Sequence, residues 1–137
     1  AAECRRYAEL LRAHPLHLCC LGIGENAHLA FNDPPADFED PEDVKVVELD
    51  AACRAQQVHE GHFPSVDDVP RLAMTVTIPA LLRADRVLAV VPEKRKAQAV
   101  HEALTGPVSG ACPASALRLC AEATLYLDRE SAALLGW

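Results

Sequence analysis

The chain has 137 residues, half of them apolar and 24% charged, a composition that fits one soluble globular domain able to bury roughly two-thirds of its unfolded surface and excludes a disordered polymer. Its net charge of −7 argues against a nucleic-acid partner, which demands a basic patch, but leaves room for a small phosphorylated ligand held by one or two local cations. No apolar run approaches the roughly 20 residues of a membrane span and no signal peptide is visible, so a cytoplasmic protein without a membrane partner is expected.

Residues 2 to 13 predict an amphipathic helix with Cys4, Tyr7, Leu10 and Leu11 on one face and Glu3, Arg5, Arg6 and Arg12 elsewhere. The pattern begins without methionine and in mid-helix, which suggests a piece of a longer chain; His14-Pro15 ends it. Leu18 to Leu21 is a short apolar run without alternation, as in a strand covered on both faces of a parallel sheet. Cys19 and Cys20 sit inside that run as small hydrophobes. The six cysteines include no Cys-x-x-Cys pair, and Cys112 and Cys120 lack histidine partners, so reduced thiols and no metal centre are expected.

Gly22 and Gly24 follow at once and allow a tight turn or a close approach to a ligand. In open α/β sheets ligands bind outside the carboxyl ends of the strands, which places Glu25, Asn26, His28, Asn32 and Asp33 where chemistry is usually done. A third glycine of the dinucleotide fingerprint is missing because position 27 is alanine, so a dinucleotide cofactor is not expected. Three prolines and five acids between Pro34 and Asp43 predict an acidic, solvated surface loop.

Val44 to Leu49 reads as a strand, and Asp50 as the N-cap of a helix through Gln57. Residues 58 to 70 read as a long loop, whose His59 and His62 lack the signature of a metal pair. Ala73 to Val76 is a further strand, with Thr77 capping a helix over Ile78–Arg83. Arg86 to Val91 is almost wholly apolar and therefore a central strand. Glu93 to Leu104 follows as a helix with Ala97, Val100 and Leu104 inward. Its first turn carries Lys94-Arg95-Lys96, and basic residues at a helix start oppose the dipole, a local cost expected where an anion must be held. Gly106 ends that helix, Ser115 to Leu119 suggests a short one, Thr124 to Leu127 is a last strand, and Asp128 caps a terminal helix. Strands alternating with helices at this spacing mean an α/β fold, a doubly wound and mostly parallel Rossmann-like sheet with helices on both faces.

Several ordered motifs now carry a resemblance: Gly22-Ile-Gly-Glu-Asn-Ala-His-Leu-Ala-Phe-Asn-Asp-Pro34, Thr77-Ile-Pro-Ala-Leu-Leu82, Val90-Val-Pro-Glu-Lys-Arg-Lys-Ala97, Gly106-Pro-Val-Ser109, Cys112-Pro-Ala-Ser115 and Leu127-Asp128. Together they resemble the glucosamine-6-phosphate deaminase (isomerase) family. The related 6-phosphogluconolactonases share the glycine-histidine loop, but Ala30-Phe-Asn-Asp-Pro34 is similar to the deaminase side. The resemblance implies a cofactor-independent enzyme that converts glucosamine 6-phosphate and water to fructose 6-phosphate and ammonia. By that likeness His28 opens the sugar ring, Asp33 is its acidic partner, Asn26 stands where many members have a catalytic aspartate, and Lys96 holds the phosphate. Gly22, Gly24, Ala27 and Asn32 are expected to complete the substrate site.

Departures from the family pattern are Ala27 and Glu93, both at positions where members carry glycine, and an arginine after Arg54 with no counterpart. Residues 1–137 would form one domain, the C-terminal portion of a deaminase/lactonase-like domain, whose N-terminal half carries a phosphate loop and the aspartate that moves the C2 proton. The alternatives are a sugar-phosphate-binding module without catalysis and a 6-phosphogluconolactonase-like hydrolase; a homo-oligomer is left open.

Overall fold

A computed structural model describes residues 1–136. In chain order its elements are α1 (Ala2–Ala13), β1 (Leu18–Leu21), β2 (Val44–Glu48), α2 (Ala51–His59), β3 (Leu72–Val76), α3 (Ile78–Leu82), β4 (Arg86–Val91), α4 (Ala97–Thr105) and β5 (Ala123–Leu127). Short 3₁₀ turns occupy Val66–Asp68, Lys94–Lys96 and Pro113–Leu119. The apolar runs make a three-stranded sheet in the order β1-β4-β5, parallel throughout, with Leu21 beside Ala89 and Val91 beside Leu127. The central position expected for the most apolar strand is therefore the one β4 takes. β2 and β3 form a separate antiparallel pair, Val44 opposite Val76.

Cys19, Val87, Ala89 and Val91 face a core that α4 and the Pro113–Leu119 turn close with Ala99, Val100, Ala103, Ala116 and Leu117. Burying valines 87, 91 and 100 contributes about 1.5–3 kcal/mol each. The opposite face of the sheet is open: Leu18 is 48%, Val90 57% and Tyr126 57% exposed, and Cys20 is exposed too. Coverage of β1 on both faces, expected from its unbroken apolar run, therefore does not hold among the described residues. All six cysteines are free, and no described helix is long and apolar enough to cross a membrane.

Other local expectations change for identifiable reasons. α1 docks on β2 through Cys4, Ala8 and Leu11 against Val44, because small side chains let the helix come close, and Tyr7 and Leu10 are left exposed. Glu93 has φ 83, which no helix accepts, so α4 starts at Ala97 after a 3₁₀ turn. Ala103 rather than Leu104 then completes its inward row with Ala97 and Val100. Thr77 precedes α3 without capping it; its hydroxyl donates to the carbonyl of Glu42 at 2.7 Å.

Asp43 departs furthest from the solvated loop expected of it. Its side chain is 5% exposed and takes Arg12 and Arg83, each at 2.6 Å. Burial pushes its carboxyl up, but the two guanidinium groups outweigh this and hold it below the usual carboxylate range. Asp128 accepts from the backbone of Ser131 at 2.7 Å as a cap would, yet turns rather than a helix follow it, and Trp137 lies outside the described residues.

Candidate active site

Parallel pairing brings the carboxyl ends of β1 and β4 side by side, so the loop after Leu21 and the turn after Val91 share one opening. α2 supplies the third wall: Asp50 caps it by accepting from the Cys53 backbone at 2.6 Å, which points the first two turns of the helix at the β1 loop. The cleft between them measures about 380 Å³ and takes Gly22, Gly24, His28, Gln56, Glu60 and Lys96 among its lining. Clefts of about 640 and 650 Å³ lie along α1 and at the opposite, amino ends of the sheet strands; larger size does not outweigh position, because parallel strands place ligands at their carboxyl ends.

His28 is the buried histidine of this cleft, 7% exposed. Gly24 makes room for it, since a Cβ there would overlap the imidazole. Nδ1 lies 2.7 Å from Oδ1 of Asn26 and 3.2 Å from Oδ1 of Asp33. The amide of Asn26 is itself oriented, because its Nδ2 donates to Asp33 at 3.0 Å and to Asp50 at 3.3 Å. An amide oxygen can only accept, so Nδ1 carries the proton and Nε2 is left as the free ring nitrogen. The carboxylate five residues along the chain was expected as the main orienting group; Asn26 is closer. Burial pushes the Asp33 carboxyl up, but hydrogen bonds from His28 and Asn26 outweigh it and hold the group ionised below the usual range.

Lys96 is 7% exposed, not a solvated helix lysine. Burial pulls its ammonium below the usual lysine range, partly countered by Glu60 at 3.9 Å. Arg95 beside it reaches Glu93 at 2.8 Å, Glu25 at 3.2 Å and Glu60 at 3.7 Å. A buried cation with one distant carboxylate partner can accept an anion from the cleft.

Two residues expected at the substrate have other tasks. Asn32 is buried and its Nδ2 donates to the carbonyls of Leu29 and Val76, each at 2.8 Å, tying the loop to the end of β3. Ala27 is 2% exposed, holds φ 65, and its carbonyl accepts from the Ala114 backbone at 2.9 Å. Both residues that stand in place of a family glycine, Ala27 and Glu93, hold a positive φ.

Three groups that line the cleft and one buried behind it carry no signal of their own in the sequence. Gln56 receives the Glu25 backbone at 3.1 Å and donates to Glu60 at 2.8 Å; neither that glutamine nor Glu60 carries a motif. Arg95 lay within the basic triplet but was overshadowed by Lys96. Cys53, 1% exposed, brings its sulfur to within 4.8 Å of ligand atoms on His28 and Asp33. Burial, with Asp33, Asp50 and Glu60 nearby, pushes its thiol up to about 12.

Comparison with known proteins follows the same lines. Residues 1–126 match the family model described as glucosamine-6-phosphate isomerases/6-phosphogluconolactonase. Glucosamine-6-phosphate deaminase 1 of Bacillus subtilis is 40% identical over 134 residues, 97% of this chain and 54% of the relative. The deaminase of Bacillus thuringiensis is 39% identical over 132 residues, 96% of this chain and 49% of the relative. A solved monomeric glucosamine-6-phosphate deaminase superposes with a TM-score of 0.89 at 40% identity, covering 97% of this chain and 54% of that one. The 6-phosphogluconolactonase of Trypanosoma brucei, with a TM-score of 0.70 at 21% identity over 99% of this chain and 55% of that one, shares the fold. The chain spans about half the length of the curated relatives it matches.

Proposed function

Because the chain belongs to the glucosamine-6-phosphate isomerase/6-phosphogluconolactonase family, we propose that its cleft binds glucosamine 6-phosphate, opens the sugar ring, and serves the conversion to fructose 6-phosphate and ammonia. The observation that carries this reading is the joint presence of His28 and buried Lys96 in one cleft. Ring opening needs a group that gives and takes a proton near neutral pH, which an imidazole does. His28 is the proton carrier at the ring oxygen, acting through Nε2. Asn26 and Asp33 are positioning residues that fix its tautomer, and Asp33 faces the charge that His28 gains in the reaction. Lys96 takes the phosphate, and Gly22 and Gly24 let the substrate approach the backbone.

Residues 1–137 are proposed as the C-terminal portion of a larger deaminase-like domain that works in the cytoplasm. The base for the C2 proton belongs, by family resemblance, to the half of the relatives that this chain does not match. Alone, the chain is therefore expected to bind and open the sugar without deaminating it. Titration calorimetry with glucosamine 6-phosphate, glucosamine and 6-phosphogluconolactone, together with an ammonia assay, tests the reading. Binding of the phosphorylated amino sugar well above that of glucosamine, without ammonia release, is expected. Turnover of the lactone, or equal affinity for glucosamine, would contradict it.

A further inference from the structure

Besides its place in ring opening, His28 belongs to a group of three different donors drawn from separate parts of the fold. A ring nitrogen of His28, a carboxylate oxygen of Asp33 and the sulfur of Cys53 lie within 4.8 Å of one another. His28 and Asp33 come from the β1 loop, and Cys53 from the first turn of α2, 25 positions after His28 in the sequence. Ligand atoms of a tetrahedral zinc site stand about 3.3–3.8 Å apart, given bonds of about 2.0–2.3 Å, so the widest pair here would close by about 1–1.5 Å to make a three-ligand site. We propose that His28, Asp33 and Cys53 form a binding site for a borderline divalent cation of the Zn²⁺ type, and that filling it withdraws His28 from proton transfer.

The donor set decides the kind of metal. Thiolate and imidazole select Zn²⁺ or Co²⁺ over Mg²⁺ and Ca²⁺, which want oxygen donors. Three protein ligands leave a fourth position for water. Nδ1 is the ring nitrogen turned to Asp33, at 3.2 Å, and so the one that a shared ion would take. On binding, the S–H bond of Cys53 breaks, a metal–sulfur bond forms, and the proton passes to water. The Nδ1 proton of His28 moves to Nε2, so the nitrogen left free for the sugar is blocked. Asp50, which bonds Asn26 at 3.3 Å and the Cys53 backbone at 2.6 Å, braces the site from behind. The inhibitory consequence rests on the ring-opening role of His28; the existence of the site does not.

Co²⁺ added to the purified chain, in a background with Cys20 and Cys120 changed to serine, tests the site directly. One equivalent should bind with a sulfur-to-cobalt charge-transfer band in the near ultraviolet and the visible bands of a tetrahedral ion. Zn²⁺ should displace it and Mg²⁺ should not. Cys53→Ser should remove the charge-transfer band, and His28→Gln should weaken binding at least tenfold while circular dichroism shows the fold retained. A band that survives Cys53→Ser, or no saturable Co²⁺ binding at micromolar metal, would overturn the site. Should Cys53→Ser not fold, the His28→Gln titration decides: unchanged affinity overturns the proposal. The consequence is read from the exchange of sugar-phosphate anomers with and without Zn²⁺. A metal-loaded chain exchanging anomers at the metal-free rate would overturn the inhibitory part, whereas a metal-free chain with no exchange would count against the ring-opening reading and leave the site to the cobalt band.

Discussion

Asn26 sets the tautomer of His28 through a bond that an amide oxygen can make in only one sense. With Nδ2 committed to Asp33 and Asp50, Oδ1 must accept from Nδ1, and Nε2 is the ring nitrogen left free to accept a proton. Gly24 guards this geometry from the other side. A methyl group at position 24 would occupy the space of the imidazole, so Gly24→Ala should turn His28 out of the cleft. The expected result is loss of His28-dependent ring opening with a stability cost of about 1–3 kcal/mol, the usual scale for overpacking. Thermal melting and anomer exchange measure the two effects, and normal exchange in Gly24→Ala would show that His28 acts from another position. At this scale the sequence showed which polar residues share the loop after β1 and was silent about which touches which. His28, Asn26 and Asp33 stand in one loop of twelve residues, 22 to 33, and were readable; Cys53 was not, because nothing in a spacing of 25 positions says that a helix start will fold back onto the loop.

Among the elements, the turn between β4 and α4 carries the local strain that the proposed phosphate site would impose. Glu93 is exposed and holds φ 83 with ψ 143, a backbone region open almost only to glycine, at a strain of about 1–3 kcal/mol. Glycine would relieve it and lose about 0.5–1 kcal/mol to chain entropy, so Glu93→Gly should stabilise the chain by about 0.5 kcal/mol or more. At Ala27 a glycine would gain nothing, because the buried methyl is worth about 0.8 kcal/mol and its loss would cancel the relief of strain. Glu93→Gly also removes the carboxylate 2.8 Å from Arg95 and should tighten sugar-phosphate binding a few-fold. Calorimetry and melting check both signs; weaker binding would mean that Glu93 assists the substrate.

Lys96 gives the complementary case. Its buried ammonium sits below the usual lysine range because burial dominates, so the charge costs stability in the unliganded chain. Lys96→Met should raise the melting temperature, by about 1 kcal/mol in stability, and weaken sugar-phosphate binding at least tenfold. Unchanged binding would return Lys96 to a packing role. The strands and helices themselves were legible as apolar runs and 3.6-residue stripes. Their faces were less so, because a stripe does not say which edge docks: Ala8 rather than Tyr7, and Ala103 rather than Leu104, met the core.

Across the whole molecule, Asp43 is the tie between layers, joining Arg12 of α1 to Arg83 just after α3. A folded carboxyl held below its ordinary range contributes stability that is complete above the unfolded value of about 3.9 and is lost as pH falls through the lower folded value. Asp43→Asn should cost about 2 kcal/mol at neutral pH, less than a fully buried pair because both arginines are more than half exposed and regain water. Its melting temperature should fall less steeply than the wild type below about pH 4. Parallel acid profiles would place the acid sensitivity elsewhere. The sequence showed an acidic loop here and could not show burial, because the two arginines lie 31 positions before Asp43 and 40 after it. The parallel sheet was legible from alternation of strands and helices. The separate β2–β3 pair was not, since an apolar strand carries no mark of the sheet it joins.

The central claim is that His28 opens a sugar-phosphate ring in the cleft at the ends of β1 and β4, and ring opening can be watched without deamination. Magnetisation-exchange NMR on glucosamine 6-phosphate measures the rate at which its α and β anomers interconvert. The chain should accelerate that exchange by about 10²- to 10⁴-fold over the free sugar once bound, the range of general acid–base catalysis, and His28→Gln should remove the acceleration while binding persists. Binding without acceleration, or acceleration that survives His28→Gln, would contradict the account.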